Sequence, residues 1–303
     1  MPDHRARLAS RFRLVSPTSA ALHLPFVRPA NPVPVRDAST VVLLRDAPSG
    51  GIEAYLLRRT SAMEFASGMY VFPGGRVDPA DTGDHLPWAG PPVEEVMHAL
   101  GAEPALARAL VCAAVRETFE ECGVLLAGPV DGSGAPVRVP LDDPEWIAER
   151  RALERRETHL ADLLARRSLA LRADLLAPWA RWVTPEMEPR RYDTRFFVAA
   201  LPDGQQPGQI SGEADRMVWM RPAEALDRHA AGELMMLPPT VYTLAELSGY
   251  DDVASVLAAA HARDLSPVRP RILFTGDEAH ILLPHDEDYD QVDPWPAYVE
   301  EAR

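Results

Sequence analysis

Three carboxylates crowd the segment Arg116-Glu117-Thr118-Phe119-Glu120-Glu121-Cys122-Gly123-Val124. On a helix, Glu117, Glu120 and Glu121 are related by three and four positions and share one face. Like charges at that spacing repel by about 0.2–0.5 kcal/mol per pair. In a last turn they also oppose the helix dipole, at about 0.3–1 kcal/mol each. A helix built only for folding would carry Lys or Arg there. A divalent cation reverses the sign of each of these terms, and hard oxygen ligands suit magnesium or manganese. The bland alternative is a solvated acidic patch. Upstream, Phe72-Pro73-Gly74-Gly75 places two glycines after a strand-like run, where backbone carbonyls can approach a cation, and Asp81 follows Gly75 after five residues.

Arginine supplies the other candidates. Arg58 and Arg59 stand at a strand end before the glycines and can hold phosphate through forked hydrogen bonds, or can be an ordinary surface pair. Arg190, Arg191 and Arg195 form a second basic cluster, with Arg191 and Arg195 on one face of a strand; an anion or a salt bridge to the helical insert would satisfy it. Trp182, Trp219 and Phe197 read as core aromatics with stacking on a base as the rarer alternative. The nine histidines show no zinc spacing.

Several elements must position these groups. Val41–Leu44 and Ile52–Leu57 read as a hairpin across Pro48-Ser49-Gly50-Gly51, and Met69–Phe72 as a third strand. Residues 82–104 read mostly as loop. Ala105–Cys122 is a helix stopped by Gly123 and followed by a strand at Val124–Ala127. Residues 142–182, rich in Arg, Glu, Leu and Ala, read as a helical insertion. Tyr192–Leu201 and Met217–Met220 read as strands, and 222–231, 239–248 and 251–262 as helices. The expected division is an irregular arm over 1–36, one domain over 37–283, and an acidic proline-rich tail over 284–303. In that tail, Trp295 and Tyr298 offer anchors on the body or on a second subunit, so that a homodimer is compatible with it.

Composition excludes several classes. All 31 basic residues are arginine, so there is no P-loop, Schiff-base or kinase-type lysine. The net charge of −14 disfavours nucleic acid and anionic membranes as partners. No apolar run is long enough to span a membrane. Prolines break up the arginine-bearing N-terminus, which excludes a signal peptide. Cys112 and Cys122, about 15 Å apart along one helix, cannot pair and imply a reducing cytoplasm.

The glycine and glutamate segments resemble the Nudix hydrolases. The box of that family is Gly, five residues, an acid, seven residues, then Arg-Glu-aliphatic-any-Glu-Glu-any-Gly-aliphatic. The match begins at Gly75 with Asp81 at the acidic position, resumes at Arg116 and ends at Val124. Between Asp81 and Arg116 lie 34 residues instead of seven, and Thr118 replaces the aliphatic residue. An insertion inside the box, in a chain of this length, is similar to the peroxisomal coenzyme A diphosphatases of animals and their bacterial relatives. Leu56–Thr60 with Gly68, Trp182–Pro185, Arg191–Phe197 and Glu213 before Trp219 also resemble that subgroup. Thr60 stands where Ser or Ala is usual, and Glu64 where Arg is usual.

The resemblance implies an α/β/α sandwich with a mixed sheet built from the strands near 41, 52, 69, 124, 192 and 217. It implies Mg²⁺ (or Mn²⁺) held by Glu117, Glu120 and Glu121 with a carbonyl of Gly74 or Gly75. Arg116 would orient the glutamates, and Glu120, Glu121 or Glu213 would be the general base. The substrate would be a small nucleotide diphosphate, coenzyme A or acyl-coenzyme A first, with NADH, ADP-ribose or dinucleoside polyphosphates as alternatives. A non-catalytic nucleotide sensor is the reading from another class.

Overall fold

The computed structural model describes residues 14–15, 31–60, 68–83, 85–131, 133–186, 188–208, 214–275, 278–284, 286 and 289–291. Strands in chain order are β1 (Leu14–Val15), β2 (Arg36–Asp46), β3 (Ile52–Arg59), β4 (Tyr70–Val71), β5 (Gly74–Arg76), β6 (Trp88–Ala89), β7 (Ala127–Pro129), β8 (Leu169–Arg172), β9 (Ala177–Val183), β10 (Tyr192–Ala200), β11 (Ala214–Met220), β12 (Arg271–Thr275) and β13 (Glu278–Leu282). The helices are α1 (Val93–Leu100), α2 (Pro104–Cys122), α3 (Pro144–Glu154), α4 (Leu160–Arg166), α5 (Pro222–Ala230), α6 (Pro238–Leu247) and α7 (Val253–Ala260). The chain divides into two compact units: 37–180 with 194–265, and 1–36 with 181–193 and 266–303.

In the larger unit, β2 and β3 form the expected hairpin, with Leu44 opposite Ala54 and Asp46 opposite Ile52. Its turn uses two glycines in succession at φ +82° and +77°, a left-handed backbone that other residues adopt at a cost. Beyond the turn β2 and β3 part. β5 pairs with β2, β4 pairs with β3, and the main sheet reads β11-β3-β2-β10-β9. Val41, Leu43, Tyr55 and Leu57 pack into the cluster around α2. The alternating Val42, Leu44, Ala54 and Leu56 are equally buried, so both faces of the sheet are covered. The α/β class is as expected.

Three elements differ from expectation. Residues 82–104 are not mostly loop: they contain β6 and α1. Val93, Val96, Met97 and Leu100 recur at helical spacing between Pro92 and Gly101, and α1 meets α2 at 88°. Val124–Leu126 are fully buried but form no strand. The Gln205 amide takes the place of a partner strand, accepting from the Leu125 N–H and donating to the Leu125 carbonyl, both at 2.9 Å. β7 follows and joins a small separate sheet with β6 and β8 rather than the main one. Residues 142–182 are α-helical only to Arg166 and then supply β8, a 3-10 turn at Ala173–Leu175 and β9. The two insertions thus meet: β6 from the first pairs with β8 from the second.

In the smaller unit, β13 lies between β1 and β12. The Arg181 guanidinium forks onto Asp193 at 2.9 and 2.7 Å. Most of the expected tail, from 292 onward, lies outside the described residues, as do Trp295, Tyr298 and all but two of the first thirty residues. Among the described residues no single helix is long and apolar enough to cross a membrane.

Candidate active site

β5 and the last turns of α2 bring the acids and glycines together. Ser39, opposite Gly75 across β2 and β5, donates its buried hydroxyl to the Leu110 carbonyl of α2 at 2.6 Å and ties strand to helix. A Cβ on Gly74 would strike the Ser39 carbonyl and Thr40, and a Cβ on Gly75 would strike the Glu117 carboxylate. Both positions need glycine for close approach.

Arg116 organises the carboxylates. Its Nε and Nη2 lie 2.9 Å from the two oxygens of Asp81. Nη1 donates to Glu117 Oε1 at 2.7 Å and to Glu120 Oε1 at 3.4 Å, and Nη2 reaches the Arg76 carbonyl at 3.0 Å. Asp81, only 2% exposed, also accepts from the Asp78 N–H at 2.8 Å and from the Cys112 thiol at 3.4 Å. Burial, then the negative charge of Asp81, pushes the Cys112 pKa up and keeps it a thiol donor. Glu121 is buried, and its Oε2 accepts from the Gly74 N–H at 2.8 Å. Gly74 therefore meets the glutamates through its N–H. Thr118, at the box position usually aliphatic, is fully buried and donates to the Ala114 carbonyl at 2.7 Å, so its hydroxyl is satisfied within the helix.

The electrostatics are unbalanced toward negative charge. Burial first, and the Glu117 carboxylate second, push the Glu120 pKa up to about 7, although Arg116 pulls it down. Among the described residues no three His, Cys, Asp or Glu side chains stand in a ready-made metal shell. The donor set nevertheless suits a hard divalent cation. Glu117 and Glu120 already converge on one cationic nitrogen of Arg116, and their oxygens are hard ligands.

Several of the other residues singled out in the sequence have partners of their own. Arg58 forks onto Asp215 at 2.6 and 3.0 Å on the surface. Arg59, partly exposed, pairs through its main chain with Gly68 and Met69. Arg191 donates to the Val33 carbonyl at 2.8 Å and the Thr184 carbonyl at 3.2 Å. Arg195 is 3% exposed and lies 3.6 Å from Asp37, which speaks for a packing role. Trp219 meets Tyr55 in a tilted ring contact and lies under Arg45, while Trp182 and Phe197 are buried. Glu213 and Glu64 lie outside the described residues. Two residues had no sequence signal: Gln205, described above, and Arg150 of α3, one arginine among many in an arginine-rich insertion. Arg150 is 8% exposed and donates to the Glu120 carbonyl at 2.9 Å.

Comparison with known proteins finds Nudix relatives. Residues 93–247 match the family model described as the NUDT19 Nudix domain. The acyl-coenzyme A diphosphatase NUDT19 of Homo sapiens is 29% identical over 286 residues, covering 81% of this chain and 74% of the relative. The protein of the same name from Gallus gallus is 29% identical over 302 residues, covering 84% and 79%. The crystal structure of a Nudix hydrolase from Alicyclobacillus acidocaldarius is 30% identical, with TM-score 0.60, covering 77% of this chain and 98% of that one.

Proposed function

Because the chain belongs to the Nudix hydrolase family, in its NUDT19-type branch, we propose that it hydrolyses the diphosphate of coenzyme A or acyl-coenzyme A with a divalent metal ion. Two relatives that match most of the chain are named acyl-coenzyme A diphosphatases. The single observation that carries the catalytic reading is the Arg116 hub. One guanidinium gathers Asp81, Glu117 and Glu120 beside the two glycines. A sensing module would have no need to hold three of the four box acids in this way.

Glu117, Glu120 and Glu121 would hold Mg²⁺ or Mn²⁺. When bound, the ion supplies Lewis-acid polarisation of the diphosphate and a bound water of lowered pKa. The chain's own residues do the rest. Arg116 orients Glu117 and Glu120, and Asp81 orients Arg116. The Gly74 N–H holds one oxygen of Glu121, and Gly75 leaves room for Glu117. The general base is drawn from Glu120, Glu121 and Glu213. Arg58 and Arg59 are the phosphate-facing candidates; Arg58 would have to exchange Asp215 for substrate. The two buried free thiols agree with a reducing compartment such as the cytoplasm.

The test is a screen of coenzyme A, acyl-coenzyme A, NADH, ADP-ribose and diadenosine polyphosphates with Mg²⁺ or Mn²⁺, with products resolved by mass. Fastest turnover of coenzyme A or its thioesters supports the reading. Preference for another of these diphosphates reassigns the substrate, and turnover of none favours the sensor.

A further inference from the structure

We propose that Arg150, contributed by the second insertion, is a positioning residue that locks the end of the glutamate helix to the segment after β10 at Gly208. The inference rests on the proposed function for its link to catalysis.

The last turn of α2 leaves carbonyls without helical partners. Three of them are met. The Gly123 N–H, at φ +74°, reaches the Phe119 carbonyl at 2.9 Å. The Gly208 N–H reaches the Cys122 carbonyl at 2.9 Å. Arg150 Nε reaches the Glu120 carbonyl at 2.9 Å, and its Nη1 reaches the Gly208 carbonyl at 2.8 Å. One buried guanidinium therefore closes a three-way junction between α2, α3 and the segment after β10. Gly208 is held from both sides, by its N–H and by its carbonyl. A Cβ on Gly123 would come within 3.2 Å of Arg150 Nη1, so the helix stop and the arginine are fitted to each other.

Two features make this more than a packing contact. The carbonyl that Arg150 holds belongs to Glu120 itself, so the clamp acts on the main chain of a residue proposed to bind metal. The cation also lies at the negative end of a helix that carries three glutamates and no basic residue in its last turn. A lysine would keep the charge but lacks the planar fork needed to serve two carbonyls at once.

The test compares Arg150→Lys and Arg150→Met with Arg167→Met. Arg167 belongs to the same insertion, pairs with Glu149 at 3.0 Å and stacks on Trp146. Steady-state hydrolysis of coenzyme A with Mg²⁺ and Mn²⁺ binding followed by electron paramagnetic resonance are both measured. Arg150→Lys should unfold cooperatively and lose kcat about ten- to a hundredfold with KM nearly unchanged. It should also bind Mn²⁺ more weakly, whereas Arg167→Met should keep both. A wild-type protein that hydrolyses nothing overturns the proposed function, while weaker Mn²⁺ binding by Arg150→Lys still supports the clamp. Wild-type kcat and Mn²⁺ affinity in Arg150→Lys overturn the inference. So do equal losses in Arg167→Met, or loss of cooperative unfolding in both Arg150 variants, which would make the arginine simply part of the core.

Discussion

The Arg116 guanidinium holds the Asp81 carboxylate by two parallel hydrogen bonds of 2.9 Å, across the first insertion and almost out of contact with water. A box whose acid and arginine are separated by 34 residues instead of seven is thereby closed in space. Replacing Arg116 by Lys keeps the charge but loses the fork and the reach to Glu117 and Glu120. Urea unfolding of Arg116→Lys should show a loss of about 1–3 kcal/mol, with a much larger loss of turnover. Unchanged stability would mean that the fork does not hold the box together.

Glu120 makes metal-free stability depend on pH. Its pKa rises from 4.5 to about 7 on folding, through burial and the neighbouring Glu117. Between those values the folded state binds more protons than the unfolded one, so stability falls as pH rises through the window. The contribution is an order-of-magnitude penalty of about 3 kcal/mol, complete above the folded pKa. With chelator present, Glu120→Gln should flatten this part of the pH profile and exceed the wild type at pH 8 but not at pH 4. Parallel profiles for the two proteins would contradict the electrostatics.

Gly75→Ala should place its methyl group against the Glu117 carboxylate. Crowding of this kind costs about 1–3 kcal/mol, and Glu117 must swing away from Arg116. Thermal unfolding should reveal a modest loss while turnover falls disproportionately. Retention of full turnover would show that Glu117 does not need its place.

Thr118→Val should be nearly silent. The Thr118 hydroxyl is bonded to the Ala114 carbonyl of its own helix, and valine restores the aliphatic residue usual at that box position. Stability should change by less than about 1 kcal/mol, with turnover intact. A large loss of turnover would give the hydroxyl a role in the site.

The glutamate helix and the glycine hairpin were legible because local chemistry decides them: three acids at helical spacing, an apolar stripe, and Gly50, Gly51 and Gly123 in left-handed conformations. What failed was decided by tertiary pairing. Leu169-Ala170-Leu171-Arg172 consists of good helix formers, yet it is a strand because β6 and β7 flank it. Val124–Leu126 has strand composition, yet a glutamine side chain takes over the ladder bonds of Leu125. Helix α1 was readable from Val93, Val96, Met97 and Leu100, but the surrounding prolines and glycines masked its period. Arg150 carried no local sign at all. Its importance comes from a carbonyl thirty residues away, and spacing does not report which arginine of an insertion turns inward.

The central claim is that the acidic face of α2 exists to work with a divalent cation. It is tested most directly by turnover of coenzyme A with saturating Mg²⁺ by Glu120→Gln beside the wild type. The substitution keeps shape and removes charge, so turnover should fall by about 10²-fold or more. Wild-type turnover in a folded Glu120→Gln would contradict the account.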